Sequence, residues 1–328
     1  MKELIENFAK QLEEGLIIGE NVKFARYSKP LSNVLIVGMG GSGIAGTIIS
    51  ELVSGEAQIP ILVSKTYFLP ECVNEKSLVV ISSYSGNTEE SIEAMKLAEK
   101  RGAKIVCITS GGKILDIAKQ KKMDHIVIPG GIPPRAGFAY SLVSMFYILY
   151  NFKIISNKFK QDFKASILLL KKEEKKIQQI ARGVAETLLG RLPIIYASAG
   201  HEGVSVRFRQ QLNENAKVLA WHHTIPEMNH NELVGWTKKD HNLAVVIFRN
   251  ESDYSRIKHR INFVTKIISK YTPNIIEIHS KGRSVIEKAM YHIHLGDWAS
   301  ALLAEMKKVD VNDIEVIESL KASLQRLK

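Results

Sequence analysis

The apolar positions of this chain come in short solid runs rather than in alternation. NVLIVG (33–38), IPILVS (59–64), SLVVIS (77–82), AKIVCIT (103–109) and DHIVIP (124–129) are rich in β-branched residues with hardly a polar break. A strand that is apolar on both sides is buried on both faces, as in a parallel sheet covered by helices. The segments between them are long enough for helices, so the five runs predict one doubly wound α/β unit. Residues 157–192 are mostly polar with helical spacing, and the runs then resume as LPIIYASAG (192–200), KVLAW (217–221), NLAVVIF (242–248) and NIIEIHS (274–280). The pattern divides the chain into a unit over 1–155 and a second over 156–328. Both units open alike, since VLIVGMGGSG and PIIYASAGHEG each run from a strand into a small-residue turn before a helix. That parallel suggests a duplicated fold. FAYSLVSMFYILYNF (138–152) is too short and too interrupted by Ser, Tyr and Asn for a membrane span. It predicts a helix buried in a domain or at a subunit contact.

Ligands of open parallel sheets bind beyond the carboxyl ends of the strands, so the residues just after each run carry the chemistry. Gly38, Gly40 and Gly43 have the G-x-G-x-x-G spacing that admits a pyrophosphate at a helix N-terminus, and the same loop serves a sugar phosphate. A dinucleotide fold places an acid after the second strand. Here ILVSKTY supplies Ser64 and Lys65, which weakens NAD and leaves NADP open. The third strand ends in SSYSGNTEESIEAM. Ser83, Ser85 and Thr88 bring three hydroxyls ahead of a helix N-terminus, an arrangement suited to one terminal phosphate. Asn87 or Thr88 would also cap that helix.

At this point the motifs become specific. SYSGNTEES resembles the signature of sugar isomerase (SIS) domains, whose Ser/Thr-rich loop holds the phosphate of a phosphosugar. Together with GMGGSG, GIPPRAGFAY, RQQLNENAK, PEMNHNELVGW and IESLKASL, in that order along nearly the whole chain, it resembles the bifunctional phosphoglucose/phosphomannose isomerases of archaea and bacteria. The resemblance implies two SIS-type doubly wound parallel-sheet domains, each a flavodoxin-like three-layer α/β/α. It implies reversible conversion of glucose 6-phosphate and fructose 6-phosphate, with mannose 6-phosphate as a further substrate, through a cis-enediolate and without cofactor or metal.

Such a reaction opens a sugar ring, moves a proton between C1 and C2, and steadies an anionic enediolate. By resemblance the proton shuttle is Glu214, between Asn213 and Asn215, at the end of the helix that begins near His201. The group serving the ring oxygen is His230, a histidine because its pKa is near neutrality; in the family it comes from the neighbouring subunit, which implies a homodimer. The fixed cation beside the enediolate is Arg135, aimed by Pro133 and Pro134. A lysine that assists ring opening falls on Lys321, with Lys307 and Lys308 as rivals. Gly41 and Ser42 join Ser83, Ser85 and Thr88 around the substrate. Gly137 stands where the family has a second alanine, which predicts a looser loop around Arg135.

Composition removes other classes. At 328 residues, 45% hydrophobic and 24% charged, the chain is a folded globular protein. A net charge of +11 admits nucleic acid, but the basic residues are scattered, and KKEEKK (171–176) is half cancelled by its own acids, as on a solvated helix face. No nucleic-acid or membrane partner is expected. Cys72 and Cys107 are the only cysteines, and Cys107 lies inside an apolar run, which fits a reducing cytoplasm. The opening MKELIENFAKQLEEG is charged and amphipathic rather than a signal peptide. His222 with His223, and His292 with His294, have no Cys or carboxylate spacing to complete a metal site, so packing or surface roles are expected. A SIS-domain sensor that binds a sugar phosphate without catalysis remains the alternative to an enzyme.

Overall fold

The computed structural model describes residues 1–324 and 326. Two short helices, α1 (Lys2–Glu6) and α2 (Phe8–Asn21), precede β1 (Asn33–Val37) and α3 (Gly40–Leu52). Then come β2 (Ile61–Ser64), β3 (Ser77–Ser82), α4 (Glu89–Lys100), β4 (Lys104–Thr109), α5 (Gly112–Gln120) and β5 (Asp124–Val127). The buried helix α6 (Phe138–Asn151) and the long α7 (Lys158–Leu188) lead to β6 (Leu192–Ser198), α8 (Glu202–Ala216), β7 (Trp221–Ile225), β8 (Leu243–Arg249), α9 (Ser255–Ile268) and β9 (Ile275–His279). Helices α10 (Val285–Lys307) and α11 (Glu315–Leu324) close the described chain.

Both sheets are parallel throughout, one in the order β2-β1-β3-β4-β5 and the other β7-β6-β8-β9. The first is the flavodoxin-like order, and each reverses once, between β1 and β3 and between β6 and β8. Successive strand residues feed opposite faces. Leu35 and Val37 pack with α4 and α5, while Val34 and Ile36 join a large core that also takes Ile195, Ala197, Val246 and Phe248 from the second sheet. Helix α9 covers the other face of that second sheet through Ile261, Val264 and Ile268. The two sheets therefore flank a shared layer of helices in which α6 and α10 are buried almost all round.

One strand starts later than KVLAW predicts. Helix α8 runs on to Ala216 and ends on Lys217 in the left-handed region, with the amide of Val218 donating to the carbonyl of Leu212. This Schellman-type stop uses up residues 217 and 218, and the ladder begins at Trp221. KKEEKK lies on α7 with its lysines outward. Glu173 pairs with Lys281, and Glu174 accepts from His294 (2.6 Å) and the Trp298 indole (2.9 Å). Cys107 is free and buried in β4, its thiol pushed up to about 12 by burial. Among the described residues, no helix is long and apolar enough to cross a membrane.

Candidate active site

Three turns meet beyond the carboxyl end of the first sheet. The β1–α3 turn delivers Gly41 and buried Ser42. A Cβ on Gly41 would stand 3.1 Å from the carbonyl of Pro134, so that glycine serves close approach of the β1 turn to the Arg135 loop. In the β3–α4 turn the hydroxyls of Ser83 and Thr88 are 2.8 Å apart, and Ser83 and Ser85 accept from the amides of Gly86 and Asn87, both at 3.2 Å. Thr88 precedes α4 but makes no side-chain cap bond, its hydroxyl facing Ser83 instead. Three hydroxyls thus stand ahead of the α4 N-terminus, with Ser85 exposed.

Tyr84 ties this turn to the Arg135 loop. Its carbonyl accepts from the amide and hydroxyl of Ser110 (3.0 and 2.7 Å), and its own hydroxyl accepts from the amide of Ile132 at 3.3 Å. The Tyr84 ring lies where a Cβ on Gly137 would be, 2.5 Å from Cε2. Gly137 therefore tightens the loop rather than loosening it: glycine is what lets the ring approach the backbone this closely. Lys65 donates to Thr47 on α3 at 3.0 Å.

Arg135 is 4% exposed, on the single turn Pro134–Gly137. Its Nε donates to Asn215 (2.8 Å) and one terminal nitrogen to the carbonyl of Val311 (2.6 Å), which leaves the other 3.5 Å from a carboxylate oxygen of Glu214. Two edges of the fork are fixed by neutral acceptors, so the third is aimed. Burial pulls the guanidinium below its ordinary pKa and Glu214 pulls it back, and an arginine stays charged in either case. Asn215 and the helix α8 that carries Glu214 are held in turn from α10 and beyond. Asn215 donates to Ser300 (2.9 Å), Asp297 accepts from Arg207 (2.6 Å) and Gln211 (3.0 Å), and Arg207 stacks 4.1 Å from the Phe138 ring. Lys307 donates to the carbonyls of Ala216 and Lys217, which makes it a cap of α8. Lys308 is the left-handed residue that ends α10.

His230 is not brought to Glu214 within the chain. Glu214 sits where α8 ends, beyond the amino ends of β6 and β7, whereas His230 lies exposed on the turn Glu227–His230 that follows β7. The length of β7 alone puts about 13 Å between them. Lys321 is exposed on α11, which buries none of its own residues and turns Val316 and Leu320 outward.

Sequence reasoning missed the support of the site. Asp297 and Ser300 interrupt the apolar run of α10, and a carboxylate in such a run needs a buried partner, which was the available signal. Glu51 was missed as well. On α3, it accepts the amide of Gly203 at 2.9 and 3.1 Å and so holds the start of α8, and burial above all raises its pKa to about 7.

Family models match both halves, the SIS domain over residues 30–152 and the bacterial phospho-glucose isomerase C-terminal SIS domain over 177–324. The bifunctional phosphoglucose/phosphomannose isomerase of Caldicellulosiruptor bescii is 31% identical over the full length of both chains. The Thermoplasma acidophilum protein of the same name is 35% identical over 88% of this chain and 89% of its own. The chain belongs to the bifunctional phosphoglucose/phosphomannose isomerase family. Its fold is also that of the C-terminal domain of glucosamine-fructose-6-phosphate aminotransferase from Francisella tularensis (TM-score 0.75, 15% identity, 95% and 98% of the two chains). In this family member the paired histidines are engaged by protein groups. His222 lies 3.5 Å from Glu202, His223 bonds Glu232 (2.8 Å), His294 bonds Glu174, and His292 meets the carbonyl of Ile278, its pKa driven to about 3 by burial.

Proposed function

We propose that this protein interconverts glucose 6-phosphate and fructose 6-phosphate, and acts on mannose 6-phosphate, through a cis-enediolate. The observation that carries the reading is the aimed pair of Arg135 and Glu214 beside the hydroxyl-rich turn of Ser83, Ser85 and Thr88. With the phosphate held at that turn and at Gly41 and Ser42, the carbons at the far end of the hexose reach toward Glu214. Glu214 shuttles the proton between C1 and C2. Arg135 stabilises the enediolate oxygen, where negative charge develops as the proton leaves. His230 of a second copy and Lys321 serve ring opening, so the working unit is a homodimer in the cytoplasm, with the chain divided as 1–155 and 156–328. Proton transfer by a carboxylate with a fixed cation asks for no cofactor and no metal. A sensor without catalysis would need the phosphate turn but not the aimed carboxylate.

A coupled assay of fructose 6-phosphate conversion in EDTA, on wild type and Glu214→Gln, tests the reading. Turnover is expected in the wild type and a fall of about 100- to 10,000-fold in the variant. Undiminished turnover in Glu214→Gln would remove Glu214 from the chemistry.

A further inference from the structure

The second sheet reverses between β6 and β8 as the first does between β1 and β3, so it has its own crevice outside the carboxyl ends of those strands. The proposed isomerisation calls on none of the residues that line the crevice between β6 and β8, although SAGHEG stands there in the position that GMGGSG takes in the first sheet.

Its lining is polar, buried and unsatisfied. Lys288, from the first turn of α10, is 8% exposed. Its ammonium donates to Ser252 Oγ at 2.7 Å, and among the described residues it has no carboxylate partner. Asn250, just past β8, is 3% exposed, and neither its amide oxygen nor its amide nitrogen has a partner. His201 Nε2 is buried and unpartnered as well. Buried waters commonly satisfy a lone amide. A buried ammonium without a counter-charge is costlier, by several kcal/mol per ion, and calls for an anion.

The remaining bonds say which atoms are free. Ser198 donates to Asp253 Oδ1 (3.0 Å) and lies 3.5 Å from His201 Nδ1, while Asp253 Oδ2 accepts the amide of Asn250 (3.0 Å). The Asp253 carboxylate is therefore occupied on both oxygens. With burial lowering its pKa, His201 is neutral; a proton on Nδ1, facing the Ser198 oxygen, leaves Nε2 as an acceptor. Ser252 accepts from Lys288 and keeps its own proton to give. At the mouth, the space beside Gly200 is open.

We propose that this crevice is a second binding site, for a small oxyanion of the phosphate class, with Lys288 as its counter-charge. Asn250 and Ser252 donate to its oxygens, and His201 Nε2 receives the hydroxyl of a monoprotonated phosphate or of an attached polyol.

Calorimetric titration of the full chain with inorganic phosphate tests this, on wild type, Ser83→Ala, and Lys288→Met and Asn250→Leu each combined with Ser83→Ala so that the Ser83 turn does not contribute, with thermal melts to confirm folding. The expected result is phosphate binding that Ser83→Ala leaves in place and that Lys288→Met and Asn250→Leu each weaken at least about tenfold, the loss of one charge-assisted bond. Isomerase kcat/KM of Lys288→Met and Asn250→Leu made singly is expected to stay within about twofold of wild type, since neither residue touches the reacting sugar. Repeating the titration with fructose 6-phosphate separates the two sources: a Lys288-dependent heat assigns the site to the ester, and its absence assigns it to free phosphate. Binding lost entirely in Ser83→Ala, or undiminished in both crevice variants, overturns the proposal. If Lys288→Met does not fold, Asn250→Leu decides alone.

Discussion

Arg135 and Glu214 differ from His230 and Lys321 in how the chain treats them. The first two lie where α3, α6, α8 and α10 converge, and every edge of the guanidinium has a protein partner. The other two stand exposed, one on a turn past β7 and one on α11, with no side-chain hydrogen bond to hold them among the described residues. The difference teaches how much of the site one chain can build. On the proposed reading, the groups that face the developing charge are fixed to the buried helical layer, and the groups that serve the ring oxygen wait for a second copy to position them.

If that division is right, substitutions in the support of the first pair unfold the protein, while substitutions of the second pair spare it. The largest effect is expected at Asp297. Replacing it with alanine leaves the Arg207 guanidinium, 3% exposed, without its carboxylate. Breaking one side of a buried ion pair costs about 3–5 kcal/mol. Urea unfolding of Asp297→Ala should show that loss together with lost turnover, and a midpoint equal to that of wild type would mean that the network is not what holds Arg207.

His230→Ala and Lys321→Ala should do the reverse. Both side chains are exposed, so stability is expected to stay within about 0.5 kcal/mol of wild type, while turnover falls about 100-fold or more. The mixed assembly sharpens this. Glu214→Gln and His230→Ala, each inactive alone, should regain up to about one quarter of wild-type activity after subunit exchange, because half the pairs are mixed and each mixed pair has one complete site. No recovery despite exchange confirmed by mass spectrometry would count against a site shared between copies.

The same contrast sorts what was legible in the sequence. Strands apolar on both faces announced the two parallel sheets, because burial on both sides leaves no polar alternation to mislead. The hydroxyl turn could be read because Ser83, Ser85 and Thr88 are close in sequence as well as in space. Gly137 was misjudged, since a glycine's reason lies in what approaches it, here the Tyr84 ring from another turn. The start of β7 was missed because nothing in KVLAW reports the left-handed stop at Lys217. Asp297 and Ser300 support the site through contacts some 85 to 90 residues apart in the chain. Only the oddity of a carboxylate in an apolar helix hinted at them.

The smallest expected effect probes how the two sheets are registered around Arg135 and Glu214. Helix α3 begins at the Gly41–Ser42 turn, and from its far end Glu51 holds the Gly203 amide in the first turn of α8, whose other end carries Glu214. Burial is the main cause that raises Glu51 from 4.5 to about 7; nearby Glu202 adds to it, and the Gly203 amide and Lys65 oppose it. Between those two values the folded chain binds a proton that the unfolded chain has released, so stability falls as pH rises through the window. Below it both states are protonated and nothing is lost. Glu51→Gln removes the proton exchange but keeps a side-chain oxygen for the Gly203 amide. The variant should match wild type near pH 4 and exceed it by about 1–3 kcal/mol at pH 8, at roughly 1.4 kcal/mol per pKa unit. Denaturation midpoints of the two proteins across that range should therefore diverge upward, and curves that run parallel would show that Glu51 ionises as freely in the fold as in the unfolded chain.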